Sequence, residues 1–239
     1  SLVLPEGLTT LEERAFYDCE NIERFTFPKS LTDMEDSSIY TSKWYEGLAD
    51  GTELYCGSVF LGCKGEKYPS KLTGTKMVRI EQDNLDGVNE LILPDGLESL
   101  SITEGGGSIA KLTVPESVHY INLRKFAHLT DLKLPTTAVL EESCFSGCYQ
   151  IKNLTIPKGN TTLKGLSVGR TAHVVLPDDV LEVRGPISNG DPYNNKDGNS
   201  NLKSIDLKNV RILTGGALSD CVALESVTLP DSLITLGDG

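Results

Sequence analysis

Residues 4–28 read LPEGLTTLEERAFYDCENIERFTFP, and the architecture follows from this stretch. Phe25 and Phe27 flank Thr26 in strict alternation, the period-two pattern of a strand with one buried face. Pro28 closes the phrase; proline has no N–H to give to a ladder, so the strand ends there. The same phrase precedes it as Leu2-Val3-Leu4-Pro5. A second arm carrying Leu8, Leu11, Ala15, Phe16 and Cys19 connects the two.

The phrase returns along the chain as Leu91-Ile92-Leu93-Pro94, Leu112-Thr113-Val114-Pro115, Leu132-Lys133-Leu134-Pro135, Leu154-Thr155-Ile156-Pro157, Val174-Val175-Leu176-Pro177 and Val227-Thr228-Leu229-Pro230. Ile205-Asp206-Leu207-Lys208 is a copy without proline. The unit is about 22 residues, with longer intervals from Pro28 to Pro94 and from Pro177 to Lys208. Residues 134–156, LPTTAVLEESCFSGCYQIKNLTI, repeat the whole unit, and Ala217 to Leu224 repeat its second arm. One such unit buries too few side chains to offset the conformational entropy of ordering it. Units must therefore stack, each burying its apolar side on the next, which is the logic of a solenoid.

The pattern L-P-x-x-L-x-x-L-x-x-x-A-F-x-x-C-x-x-L-x-x-x-x-L-P resembles the bacterial BspA-like class of leucine-rich repeats. Residues 4–28 match it nearly letter for letter; the copies at 134–157 and 213–230 match well, and the others keep the strand and lose much of the Ala-Phe-x-x-Cys arm. The resemblance implies an α/β leucine-rich repeat solenoid spanning 1–239. This would be a right-handed, horseshoe-like β-α superhelix, with one parallel sheet on the concave face and turns or short helices on the convex side. It also implies a surface-exposed or secreted bacterial protein used in adhesion or host-protein binding.

Two segments depart from the period. Residues 40–75 hold Glu53 to Leu61, which reads as a hairpin about the Gly57-Ser58 pair. Trp44 and Tyr45 precede it and are expected to anchor the hairpin on the array, with an aromatic contact for a ligand as the alternative. Residues 188–201, SNGDPYNNKDGNSN, are turn chemistry throughout and read as an exposed loop. The alternating Asn195, Asp197, Asn199 and Asn201 lack the closing bidentate carboxylate that a calcium loop uses.

Composition narrows the function further. The formal charge of the 239 residues is −12, and the 22 basic residues are scattered singly, which opposes contact with a phosphate backbone or an anionic membrane surface. No apolar run is long enough to span a membrane. Ser1 opens directly into a strand-like phrase, with no signal-peptide pattern. Gly165-Leu166-Ser167-Val168-Gly169 matches a hydrolase elbow as a string, but that motif needs a helix after it, and a strand-like phrase follows instead. His119, His128 and His173 fall in different copies and compose no Ser/His/Asp set. Gly105-Gly106-Gly107 lacks the Lys-Ser/Thr of a phosphate cradle and is expected to tighten a convex turn. Cys19, Cys148 and Cys221 share one slot and Cys144 takes another; both slots face inward in the repeat pattern, so free structural thiols are expected rather than disulfides or a metal site. No enzyme activity, cofactor or metal is indicated.

In such an array the residues between the inward positions of the strand phrase point outward. One outward column is Arg24, Met77, Glu90, Lys111, Asp131, Asn153, His173, Ser204 and Ser226; the other is Thr26, Arg79, Ile92, Thr113, Lys133, Thr155, Val175, Asp206 and Thr228. They mix both charges with hydroxyls and contain no aromatic ladder. The sequence points to a non-catalytic protein-interaction or adhesion module. The alternatives are a spacer presenting a neighbouring domain and a carbohydrate-binding surface. The last copy stops at Gly239, where the Ala-Phe pair would begin, so the array is expected to continue beyond it.

Overall fold

The structure is a computed structural model, and it describes residues 1–35, 38–65, 72, 74–80, 85, 87–104, 106, 108–169, 171–187 and 201–237. Of the two irregular segments, most of the loop at 188–201 and the calcium reading of it lie outside the described residues, as do Gly105 and Gly107.

The strands are β1 (Leu2–Val3), β2 (Thr10–Leu11), β3 (Phe25–Thr26), β4 (Asp33–Met34), β5 (Glu53–Cys56), β6 (Val59–Cys63), β7 (Met77–Ile80), β8 (Ser99–Ile102), β9 (Lys111–Thr113), β10 (Tyr120–Leu123), β11 (Asp131–Lys133), β12 (Val139–Leu140), β13 (Leu154–Thr155), β14 (Thr162–Lys164), β15 (His173–Val175), β16 (Glu182–Arg184), β17 (Ser204–Asp206), β18 (Ile212–Thr214) and β19 (Thr235–Leu236). Six of the strand phrases turn sharply at their proline. The carbonyls of Pro5, Pro28, Pro94, Pro115, Pro177 and Pro230 each accept the N–H three residues on. In Pro5-Glu6-Gly7-Leu8 and Pro94-Asp95-Gly96-Leu97 the third residue has φ of 99° and 84°, which glycine adopts without strain.

The result is a β-solenoid of about nine turns in parallel strands. The strand phrases form the first stack: β1 with β3, β9 with β11, and β13-β15-β17. A second stack runs beside it, as β2 with β4, then β12-β10-β8-β7-β6-β5, then β14-β16-β18-β19. This corrects the expectation of an α/β coil with one sheet backed by turns and short helices. Among the described residues helix is limited to a 3-10 turn, Ser38–Thr41, and one four-residue helix, α1 (Lys43–Glu46). The physical reason is the second arm itself. Ser99-Leu100-Ser101-Ile102 and Tyr120-Ile121-Asn122-Leu123 alternate with period two, and each inward residue is fully buried.

The hairpin forms as read, with Cys56 opposite Val59 across Gly57-Ser58. It does not interrupt the second stack. Ser58 N–H donates to Leu31 O, Lys76 N–H to Ser58 O, Glu98 N–H to Lys76 O and His119 N–H to Glu98 O, an unbroken main-chain ladder from coil to coil. β6 then pairs in parallel with β7, and β7 with β8.

The hairpin does divide the interior. One core holds Leu11, Phe25, Leu31, Met34, Leu54, Cys56, Val59, Leu61 and Met77; the other runs from Phe60, Val78 and Ile80 to Leu213 and Ala217. β6 and β7 stand between them, because alternate residues of a strand point to opposite faces. The N-terminal coils therefore pack on the outward side of the second sheet near β6, while the later coils fill its inward side.

Candidate functional site

On the first stack, the outward columns emerge as exposed side chains brought into register. Lys111 pairs with Asp131, and their charged groups lie 3.7 Å apart. Asp131 in turn bridges to Asn153, and Thr113 lies beside Lys133. Further along, His173 Nδ1 lies 2.7 Å from Ser204 Oγ, and Thr155, Val175, Asp206 and Thr228 form one row. Arg24, Thr26 and Glu90 are also exposed. A shallow depression of about 320 Å³ lies over Lys111, Thr113, Asp131, Lys133 and Asn153, and one of about 480 Å³ over His173, Val175, Asp206 and Thr228.

Met77 and Arg79 do not belong to this face. Both sit on β7, in the second stack, and Met77 is only 3% exposed. The apolar run Met77-Val78-Arg79-Ile80 imitates the strand phrase, but Glu81 stands where the proline would be, and its register is with Ser99 to Ile102.

Trp44 and Tyr45 lie on α1 and face the N-terminal core. Trp44 meets Phe25 and Phe27 edge-on, with ring centres 5.5 and 6.0 Å apart, and Tyr45 meets Tyr40 at 5.0 Å. Lys64, at the end of the hairpin, donates to the carbonyls of Tyr45, Glu46 and Leu48 at 2.9, 2.6 and 2.6 Å. That ammonium takes up carbonyls at the end of α1 and ties the hairpin to the helix.

The chemistry set aside from the sequence is explained locally. Ser167 has φ of 55°, as a hydrolase elbow would, but Lys125 has φ of 59° at the corresponding place before the buried Phe126. The positive φ is thus a property of the repeat turn; among the described residues no helix follows Ser167, and the residue is 5% exposed. A Cβ on Gly106 would lie 2.4 Å from the Phe126 ring, so glycine here allows the coils to approach. None of the six cysteines is in a disulfide. Cys56, Cys63, Cys144 and Cys148 are buried and Cys221 is half-buried against the core that holds Cys148, whereas Cys19 is exposed, so the shared inward slot fails at Cys19 among its three members. Burial pushes the thiol of Cys63 up to about 11 and that of Cys148 up to about 12.

A second concavity was not foreseen from the sequence. Where the N-terminal coils meet the outward face of the second sheet, a groove of about 520 Å³ opens. Thr32, Asp33 and Glu35 form one wall; Lys76, Arg79, Glu98, Ser99, His119, Tyr120 and Glu141 form the floor and the opposite side. The floor is ordered by polar contacts. Lys76 Nζ donates to Glu98 at 2.8 Å, and the Tyr120 hydroxyl donates to Glu141. Burial and then this bond raise the Tyr120 phenol, and the same bond holds the Glu141 carboxyl below its ordinary value. The signal for this face was present in Ser99, Ser101, Tyr120 and Asn122, polar residues alternating with buried apolar ones.

Comparison with known proteins agrees with the repeat. Six copies of the BspA type leucine rich repeat region match residues 1–47, 80–168 and 197–239. The chain belongs to the BspA-type leucine-rich repeat family. A solved leucine-rich repeat protein from Bacteroides ovatus is also similar, at 16% identity and a TM-score of 0.40, over 92% of this chain and 58% of its own. This chain therefore spans under two thirds of that protein. No curated protein matches. Membership in the BspA-type family makes the chain a repeat module suited to binding. No helix among the described residues is long and apolar enough to cross a membrane.

Proposed function

We propose that this BspA-type array is a non-catalytic protein-interaction and adhesion module of a bacterial surface or secreted protein, and that it binds a host or bacterial surface protein through the first stack. The observation that carries this reading is the register of that stack. Neighbouring coils hold Lys111, Asp131 and Asn153 in one row, and Thr155, Val175, Asp206 and Thr228 in another, all exposed on a rigid ladder. A face fixed by main-chain pairing needs no backbone ordering on binding, so only its side-chain rotamers remain to be ordered. Val175 and Ile92, 55% and 44% exposed, add apolar contact area among the polar groups. The absence of aromatic side chains from the two columns disfavours carbohydrate, which stacks on exposed rings. The surface or secreted location rests on the family.

The test is capture of biotinylated surface proteins from host cells and bacteria, using the intact chain and a Lys111→Glu/Lys133→Glu/His173→Ala variant. Capture by the parent that is lost in the variant supports the reading. Equal capture by both would remove the first stack as the binding face, and no capture by either would favour a spacer that only presents a neighbouring domain.

A further inference from the structure

We infer that the array flexes at one boundary, between the coil of β11 and β12 and the coil of β13 and β14, so that the first-stack face bends between its two depressions. That this bending serves binding rests on the interaction-module reading.

Both ladders fail at this level. In the first stack β9 and β11 pair through three residues and β13 and β15 through two, but a single bridged pair, Asp131 with Asn153, joins β11 to β13. In the second stack β10 and β12 pair through two residues and β14 and β16 through three, and β12 and β14 are not paired with each other. Among the described residues beyond the hairpin, no other boundary lacks paired strands in both stacks. The main-chain bonds that do cross come from the turns. Ala138 N–H donates to Lys158 O at 3.1 Å, Lys158 N–H to Thr136 O at 3.0 Å and Ser143 N–H to Lys164 O at 2.8 Å. Lys152 N–H reaches Thr130 O only at 3.4 Å, longer than a usual hydrogen bond. Side chains supply the rest, through the amide of Asn160 and through Thr171 Oγ1, which donates to Ile151 O at 3.0 Å.

Apolar packing continues across the boundary. Phe145 and Ile151 on one side and Ile156, Leu163 and Leu166 on the other belong to one core. That attraction is non-directional, so it holds the two parts together while permitting small rotations that a ladder of directed bonds resists. Few residues need to move, as in other hinges, which place the change at the ends of elements. The depressions are divided by the same boundary. The one over Lys111, Thr113, Asp131 and Lys133 draws only Asn153 from beyond it, and the one over His173, Val175, Asp206 and Thr228 lies wholly beyond it. Rotation at the boundary changes the angle between the two depressions and leaves the ladder on either side intact.

The experiment follows hydrogen exchange of single amides by NMR on the intact chain, each rate corrected for the intrinsic exchange of its sequence. It compares amides that already donate to a main-chain carbonyl, so that the presence of a bond is not the variable. Ala138, Ser143 and Lys158 donate across this boundary; Thr103, Gly165 and Leu181 donate across other boundaries, to Ile80, Arg184 and Thr161, each at 2.9 Å. The first three should exchange about tenfold faster, or more, than the second three, because local opening sets the rate. Asn160→Ala should speed the first three further, by about threefold or more, and leave the second three unchanged. Equal protection in the two sets overturns the hinge, and so does a uniform rise in Asn160→Ala. If Asn160→Ala does not fold, the two sets of the parent carry the test. Exchange needs no partner, so a failed hinge leaves the interaction module standing. A chain that captures no surface protein sinks the module without touching the hinge.

Discussion

Asn160 takes the place of a strand for Leu140. Its Oδ1 accepts the Leu140 N–H at 2.8 Å, while its Nδ2 donates to the carbonyls of Ala138 at 2.6 Å and Pro157 at 3.0 Å. The long second sheet ends at β12 and the next begins at β14, so this side-chain amide, 4% exposed, joins the two sheets where the main-chain ladder breaks. Asn160→Ala leaves buried groups unpaired, at about 1–3 kcal/mol for each group that water does not reach. The expected outcome is a melting temperature lower by at least several degrees, given roughly 2–4 °C per kcal/mol for a chain of this size. Asn160→Asp keeps the acceptor but sets a buried carboxylate oxygen against the Ala138 and Pro157 carbonyls, and should lose as much or more. A melt within a degree of the parent for the alanine variant would show that the amide is not the joint.

Gly106 and Gly7 separate two reasons for a glycine. At Gly106 a Cβ would meet the Phe126 ring at 2.4 Å and the Phe126 Cα at 2.7 Å, so alanine must push two coils apart. Overpacking of that kind costs about 1–3 kcal/mol. At Gly7 the space is open and only the φ of 99° resists a side chain, a penalty of about 1–2 kcal/mol. Chemical denaturation of the two alanine variants should rank Gly106→Ala as the more damaging. The reverse order would contradict the close approach of Gly106 to Phe126.

Thiol reactivity should divide the six cysteines. Cys19 is exposed and should react within the mixing time with an aromatic disulfide reagent at pH 8. Cys221 should follow more slowly, and Cys56, Cys63, Cys144 and Cys148 should stay silent until the chain unfolds, since burial closes access and disfavours the thiolate. Denaturation without reductant should release all six. Fewer than six would reveal a disulfide.

Acid should weaken the fold through its carboxylates. The Glu141 carboxyl is lowered first by the Tyr120 hydroxyl, that of Glu98 by the Lys76 ammonium, and that of Asp206 by Lys208. Each folded value lies below the unfolded one, near 4.5 for glutamate. Their contribution is therefore complete above that value and is lost as pH falls through the lowered folded one. Melting temperature should hold from pH 7 to about 5 and fall below it. Tyr120→Phe should move the Glu141 carboxyl back up in a carbon-13 titration; an unmoved value would mean that the hydroxyl is not what lowers it.

The strand phrase with its closing proline was legible because a two-residue period and a turn are local physics. Phe25-Thr26-Phe27-Pro28 needs no distant partner to be read as strand, then stop. The outward position of Lys111, Asp131, Lys133 and His173 follows from the same alternation. Met77 and Arg79 were placed wrongly because a four-residue apolar alternation does not say which stack it will join. That depends on main-chain pairing with Val59-Phe60 on one side and Ser99 to Ile102 on the other.

The sequence by itself determined the repeat, its proline turns, the hairpin about Gly57-Ser58 and the need to stack, since no single coil buries enough apolar surface to stand alone. Only the tertiary structure decided that the second arm is also a strand, that Cys19 is exposed while Cys148 is buried, and that β6 and β7 carry a different core on each face. The groove beside Asp33 and Tyr120 arises from that last fact. Its walls come from residues more than a hundred positions apart, Thr32 to Glu141, and their meeting is set by how the two cores are offset, a property of packing that no local pattern records.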